Sequence, residues 1–158
     1  MHLTVHDLLE NELFSKFKCI AGANGLRRRV KSCGILDDEV DWEVGDKYYS
    51  SNYFTNQLAL SSLLFAKENH YLILDAMKYL IGQGACGLAI KNIFNLPIDK
   101  QVIRYANANK FPIFIFGKQD IFFEDIIVEV ADLLKKFESA RGLEPLIDKA
   151  VINAENYD

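Results

Sequence analysis

A chain of 158 residues, half of them hydrophobic, can close one substantial core, so a single domain is expected. Its 18 basic and 22 acidic residues leave a formal net charge of −4, which excludes a global basic surface for gripping a duplex. The amino terminus, MHLTVHDLLENELF, has neither the basic head nor the apolar core of a secretory signal, and no later run reaches the roughly twenty apolar residues a bilayer needs. A soluble, cytoplasmic protein with no membrane contact is expected.

Thr4 caps a first helix over residues 5–11, with Asp7 in capping-box position and Val5, Leu8, Leu9 and Phe14 as its inward stripe. Two apolar stretches, 17–21 and 30–36, follow. Gly22, Asn24 and Gly25 between them favour a turn, so they read as a pair of short strands. Arg27, Arg28 and Arg29 open the second. On an extended chain adjacent residues alternate faces, so the triplet forms a solvated edge rather than one anion-binding patch, with a partner or ligand contact as the alternative. Residues 37–55, DDEVDWEVGDKYYSSNYFT, read as loop with one helical turn near 39–42, its aromatics either pinning it to the core or walling a pocket or interface.

The segment NQLALSSLLFAKEN fits a strand or a helix on local pattern alone. After Asn69, a candidate cap, Leu72, Ile73, Ala76, Met77 and Leu80 recur at spacings of three and four, and Gly82 and Gly84 stop the helix. CGLAI is a short apolar run, Pro97 opens a helix with Val102, Ile103 and Ala106 inward, and FPIFIF is a second run. Strand, helix and strand in this rhythm mean βαβ crossovers and a parallel sheet. The fold class is therefore α/β: a single domain with a mostly parallel sheet, flanking helices, an N-terminal helix and a short strand pair. A helix over residues 122–139 and a shorter one after a break at Gly142 close the chain, as a lead into a further region.

Ligands of an open parallel sheet sit at the carboxyl ends of its strands. The candidates there are Asp37 and Asp38, Ser61 and Ser62, Lys91 and Asn92, and Gly117 with Lys118. They offer hydroxyls, an amide, a lysine for an anionic or carbonyl group and a carboxylate for an N–H donor. The competing reading is that such polar residues merely finish strands. Catalytic signatures are thin. The sequence holds no Walker-type, dinucleotide-binding or nucleophile-elbow motif, and His2, His6 and His70 do not follow strand ends. Cys19, Cys33 and Cys86 are scattered and odd in number, which fits buried, reduced structural thiols. No metal or other cofactor is expected, and Glu124 with Asp125 favour the positive end of their own helix rather than acid–base work.

Taken in order, LTVHDLL, IAGANGLRRRV, LALSSLLFAKEN, LIGQGACGLAIK, VIRYANANKFPIFIF and FFEDIIVEV resemble the amino-terminal domain of the PucR family, the purine-catabolism-type bacterial transcriptional regulators. The likeness runs over roughly residues 3–137. It implies that residues 57–61 form a parallel strand and that Ser61 and Ser62 stand where the family usually has a Thr-Thr pair. It further implies a non-enzymatic input domain over residues 1–140 with a helical tail over 141–158, and a homodimer. On this reading a small-molecule effector of the purine-catabolite type is expected at the strand-end candidates Asp37, Ser61, Ser62, Lys91, Asn92 and Lys118, with a purely dimerising module as a further alternative, and contact with DNA is expected only through a carboxyl-terminal helix-turn-helix that this sequence lacks. A small flavodoxin-like enzyme is the alternative; it requires Cys33 or a histidine beside a carboxylate in that pocket.

Overall fold

The computed structural model describes residues 2–36 and 54–153, with side chains described through residue 140. Thr4 starts helix α1 (Val5–Leu9) through the expected capping box: Asp7 N–H donates to Thr4 Oγ1 at 3.2 Å, and Thr4 N–H donates to the Asp7 carboxylate at 2.8 Å. The helix is shorter than its apolar spacing suggests, because Asn11 begins a separate 3-10 turn, Glu12–Phe14, that delivers Phe14 to the core.

Five strands form one sheet: β1 (Lys18–Ala21), β2 (Ser32–Ile35), β3 (Gln57–Ser61), β4 (Gly87–Lys91) and β5 (Ile113–Phe116). Their spatial order is β1-β5-β4-β3-β2. β2 to β5 run parallel, and β1 lies antiparallel on β5. Helices α2 (Leu72–Gly82) and α3 (Lys100–Ala108) join β3 to β4 and β4 to β5. The strand expected at 57–61 forms with those bounds, and all five of its residues are buried.

Burial on both faces explains the unbroken apolar runs. Ala59, Leu88, Ile90 and Ile113 meet α2 and α3 through Ile73, Ala76, Met77, Leu80, Val102 and Ala106. Leu58, Leu60, Ala89, Phe114 and Phe116 face the other way, onto α1 and the closing helix α4 (Phe123–Asn153), which contributes Ile126 and Val130.

The two short strands both form, but they do not pair with each other. They take opposite edges of the sheet, and the residues between them are a strap rather than a hairpin turn. A Cβ on Gly22 would lie 2.0 Å from the Phe111 carbonyl oxygen, and one on Gly25 would lie 1.8 Å from that of Lys110. Both glycines thus let the strap press on the backbone that leads into β5. Farther along, Arg28 reaches the approach to β4, and Lys31 N–H donates to the Asn56 carbonyl at 2.7 Å, at the start of β3. The strap crosses the amino ends of β5, β4 and β3 in turn, a span of about 19 Å at roughly 4.8 Å per strand, and so closes off the end of the sheet opposite the candidate site.

Three further helix boundaries differ from expectation. Asn69 Oδ1 accepts the Tyr71 N–H at 3.1 Å, an Asx turn leading into α2, and the cap position itself falls to Tyr71. α3 starts at Lys100, three residues after Pro97, because Asp99 keeps an extended backbone. α4 continues through Gly142 to Asn153; a helical glycine costs only about 1 kcal/mol relative to alanine, too little to end a helix by itself. Among the described residues no helix is long and apolar enough to cross a membrane. The helical turn expected near 39–42 lies outside the described residues, but Phe54 is buried with its ring 6.1 Å from that of Tyr79, so this end of the segment is held by an aromatic contact.

Candidate functional site

Ser61 ends β3, fully buried. Its hydroxyl accepts the Leu63 N–H at 2.9 Å and donates to the Leu36 carbonyl at 3.4 Å. Leu63 has φ 63°, a left-handed conformation that an L side chain adopts only at a cost of order 1 kcal/mol, and the Ser61 bond holds the turn in place. The serine therefore ties the end of β2 to the turn leaving β3. Ser62 is buried beside it.

Lys91 ends β4 and is only 8% exposed. Its ammonium sits 4.8 Å from the ring centroid of Phe122 and 5.6 Å from that of Phe123, at the root of α4. Among the described residues no carboxylate pairs with it. A buried cation supported by two π faces is partly compensated, and its remaining donors favour an anionic or carbonyl partner.

Among the described residues, the candidates Ser61 and Lys91 lie on opposite faces of the sheet. Alternation along paired strands puts Ser61 in phase with Ala59, on the α2 and α3 face, and Lys91 in phase with Ala89, on the α4 face. Asn92 N–H donates to the Phe116 carbonyl at 2.9 Å and its side chain donates to Asn95 Oδ1 at 3.1 Å, so it closes the turn after β4. Lys118 is exposed on a loop that Asp120 holds by accepting the Gly117 N–H at 2.6 Å. Asp37 lies outside the described residues.

The strand ends also gather groups that were not expected there. His70 Nε2 lies 3.5 Å from Asp99 Oδ2, each about one-third exposed, and the His70 ring packs 4.3 Å from that of Tyr71. Lys67 stands 5.2 Å over the Phe94 ring. His70 stands two residues before α2 and Asp99 directly before α3, and in a βαβ unit the helix start lies on the same side as the strand's carboxyl end. That topological signal was available in the sequence and outweighs the distance of His70 from Ser61 along the chain.

The thiols lack the environment of a nucleophile. Burial pushes the Cys33 thiol far above its ordinary value, reinforced by nearby Cys86, and pushes Cys86 up to about 12. Cys19, expected to be buried, is exposed at the edge strand; partial burial still raises its pKa, offset in part by a backbone hydrogen bond of Ala21. His6 meets Glu10 at 3.4 Å within α1. Glu124 and Asp125 occupy the exposed first turn of α4. Among the described residues no three metal-ligating side chains converge.

The arginine triplet divides into separate roles. Arg27 is exposed, whereas the Arg28 guanidinium donates to the Lys110, Asn109 and Ala85 carbonyls at 2.8, 2.9 and 3.2 Å. Neither the solvated-edge reading nor the ligand reading describes Arg28, which fastens the strap.

No curated protein sequence matches the chain. The family model described as purine catabolism regulatory protein-like (PucR) matches residues 7–134, taking in the whole sheet and the first part of α4, and the chain belongs to that family of regulatory proteins.

Proposed function

We propose that this chain is a non-enzymatic input domain of a transcriptional regulator, which binds a small effector at the carboxyl ends of its parallel strands and passes the change to α4. Lys91 carries the reading: a nearly buried ammonium at a strand end, resting on the two aromatic residues that begin the helix. An anionic or carbonyl-rich effector that takes hydrogen bonds from Lys91 alters the contact at the root of α4, and that differential contact is what a switch requires. Family membership supports a regulatory role and makes purine-breakdown products the first effector class to test. On this reading the domain works as a cytoplasmic homodimer, and DNA is contacted by another region of the regulator.

The test is a thermal-shift panel of purine-catabolite anions on the wild-type chain and on Lys91→Met, which keeps the volume and removes the charge. A ligand at 100 times its Kd adds about 2.7 kcal/mol, a rise in Tm of roughly 5–10 °C for a chain of this size. The rise is expected in wild type and absent in K91M. A flat panel, or a shift that survives in K91M, refutes the strand-end site. Light scattering on the same samples reads the dimer, and a monomer at high concentration removes that part.

A further inference from the structure

A recess lies at the end of the molecule away from Lys91. A cavity of about 190 Å³ opens between the N-terminal segment, the approach to β2 and the middle of α4. Leu3, Leu134 and Phe137 form an apolar wall, and Arg29, Lys31 and Glu138 stand around it. The backbone here is already satisfied: Val30 N–H donates to Leu3 O at 2.8 Å, and Lys31 N–H to Asn56 O. Arg29 is half-buried, Lys31 and Glu138 are exposed, and His2 also lines the recess. Among the described residues Arg29, Lys31 and Glu138 make no ion pair, although two cations and a carboxylate border one cavity. Alternation gives the arrangement its logic, since Arg29 and Lys31 are two apart on an extended chain and lie on one side of it.

The geometry points to a binding site for a small, flat carboxylate carrying an N–H donor, held between the Arg29 strand segment and α4. A guanidinium fork matches a carboxylate, Glu138 accepts an N–H from the opposite end of the ligand, and Phe137 with Leu134 supplies a surface for a ring or an acyl group. The volume falls below the range of about 300–1,000 Å³ usual for drug-sized ligands, so a compact metabolite is the fitting size. This site is separate from Lys91, and it holds whether or not the strand ends bind an effector.

Hippurate, which has a planar ring, an amide N–H and a carboxylate, is the probe, titrated calorimetrically into the full chain, with its methyl ester as the uncharged control. Saturable binding of hippurate is expected, with none by the ester. Arg29→Gln raises Kd about tenfold or more, the worth of one charge-assisted contact, and Glu138→Gln weakens it by a smaller factor. Arg27→Gln, at an exposed arginine outside the recess, leaves it unchanged. Circular dichroism confirms that each variant is folded, and Lys31→Gln replaces R29Q should that variant not fold. Equal binding of acid and ester, no binding at millimolar hippurate, or a loss in R27Q that matches that of R29Q or its replacement overturns the assignment.

Discussion

Replacing Arg28 with alanine should unfasten the strap beneath the sheet. Its guanidinium donates to three main-chain carbonyls: those of Asn109 and Lys110, where α3 ends, and that of Ala85, on the approach to β4. Two of these contacts are part-buried and the third is exposed. Taking about 1–1.5 kcal/mol for each part-buried charge-assisted bond and about 0.5 for the exposed one gives a loss of roughly 3 kcal/mol. For a chain of this length that corresponds to a fall in Tm of roughly 6–12 °C. Urea denaturation followed by far-ultraviolet circular dichroism measures the loss directly. Arg28→Lys should recover less than half of it, because one ammonium cannot span carbonyls on two loops. Exposed Arg27→Ala is the neighbour control and should stay within about 0.5 kcal/mol of wild type. The strap argument fails if R28A loses less than about 1 kcal/mol, or if R27A costs as much as R28A.

Two further substitutions and a pH series test other parts of the framework. Gly25→Ala sets a Cβ against the Lys110 carbonyl at 1.8 Å and should destabilise the fold by about 3 kcal/mol or more, whereas Gly82→Ala, whose Cβ meets nothing within 4 Å, should stabilise α2 by about 0.5–1 kcal/mol; urea midpoints compare the two. Thiol labelling of the folded chain should modify Cys19 well before Cys33 and Cys86, all three reacting after unfolding. Because burial holds Cys86 protonated up to about 12 while the unfolded thiol ionises near 9.0, the unfolded state loses its proton first on raising the pH. The Cys86 contribution to stability is therefore intact below pH 9.0 and declines between there and about 12, which urea midpoints across that range will register; an unchanged midpoint argues against a buried, protonated Cys86.

How much could be read in advance depended on whether the signal was local. CGLAI, FPIFIF, the α2 stripe and the Thr4 capping box are local patterns, and each formed where expected; the strand at 57–61 is ambiguous on local pattern and follows only from the ordered likeness to the family. The partners of β1 and β2 are not locally encoded: each is four residues long, and the glycine-rich segment between them mimics a hairpin turn while its glycines are needed for close approach to Lys110 and Phe111. The part played by Arg28 depends on carbonyls more than fifty residues away in sequence. The division of the candidate site was more accessible. Once β3 and β4 are set in register, two-residue alternation alone sends Ser61 and Lys91 to opposite faces.

On the proposed reading, α4 is the element that joins the two sites. Its first residue, Phe123, lies under Lys91 at the carboxyl end of the sheet, and Phe137 lines the cavity against Arg29. At about 1.5 Å per residue the two points are roughly 21 Å apart on one helix. α4 is anchored between them by Ile126 and Val130, both buried in the core against the sheet, so it cannot tilt at one end without repacking at the other. Two ligands that each favour the same seating of this helix must strengthen one another's binding by equal factors, and two that favour different seatings must weaken one another equally. A ligand with the same affinity for both seatings would move nothing, however tightly it bound, so the quantity that decides whether this domain is a switch is the change in Lys91 and Arg29 contacts between helix positions.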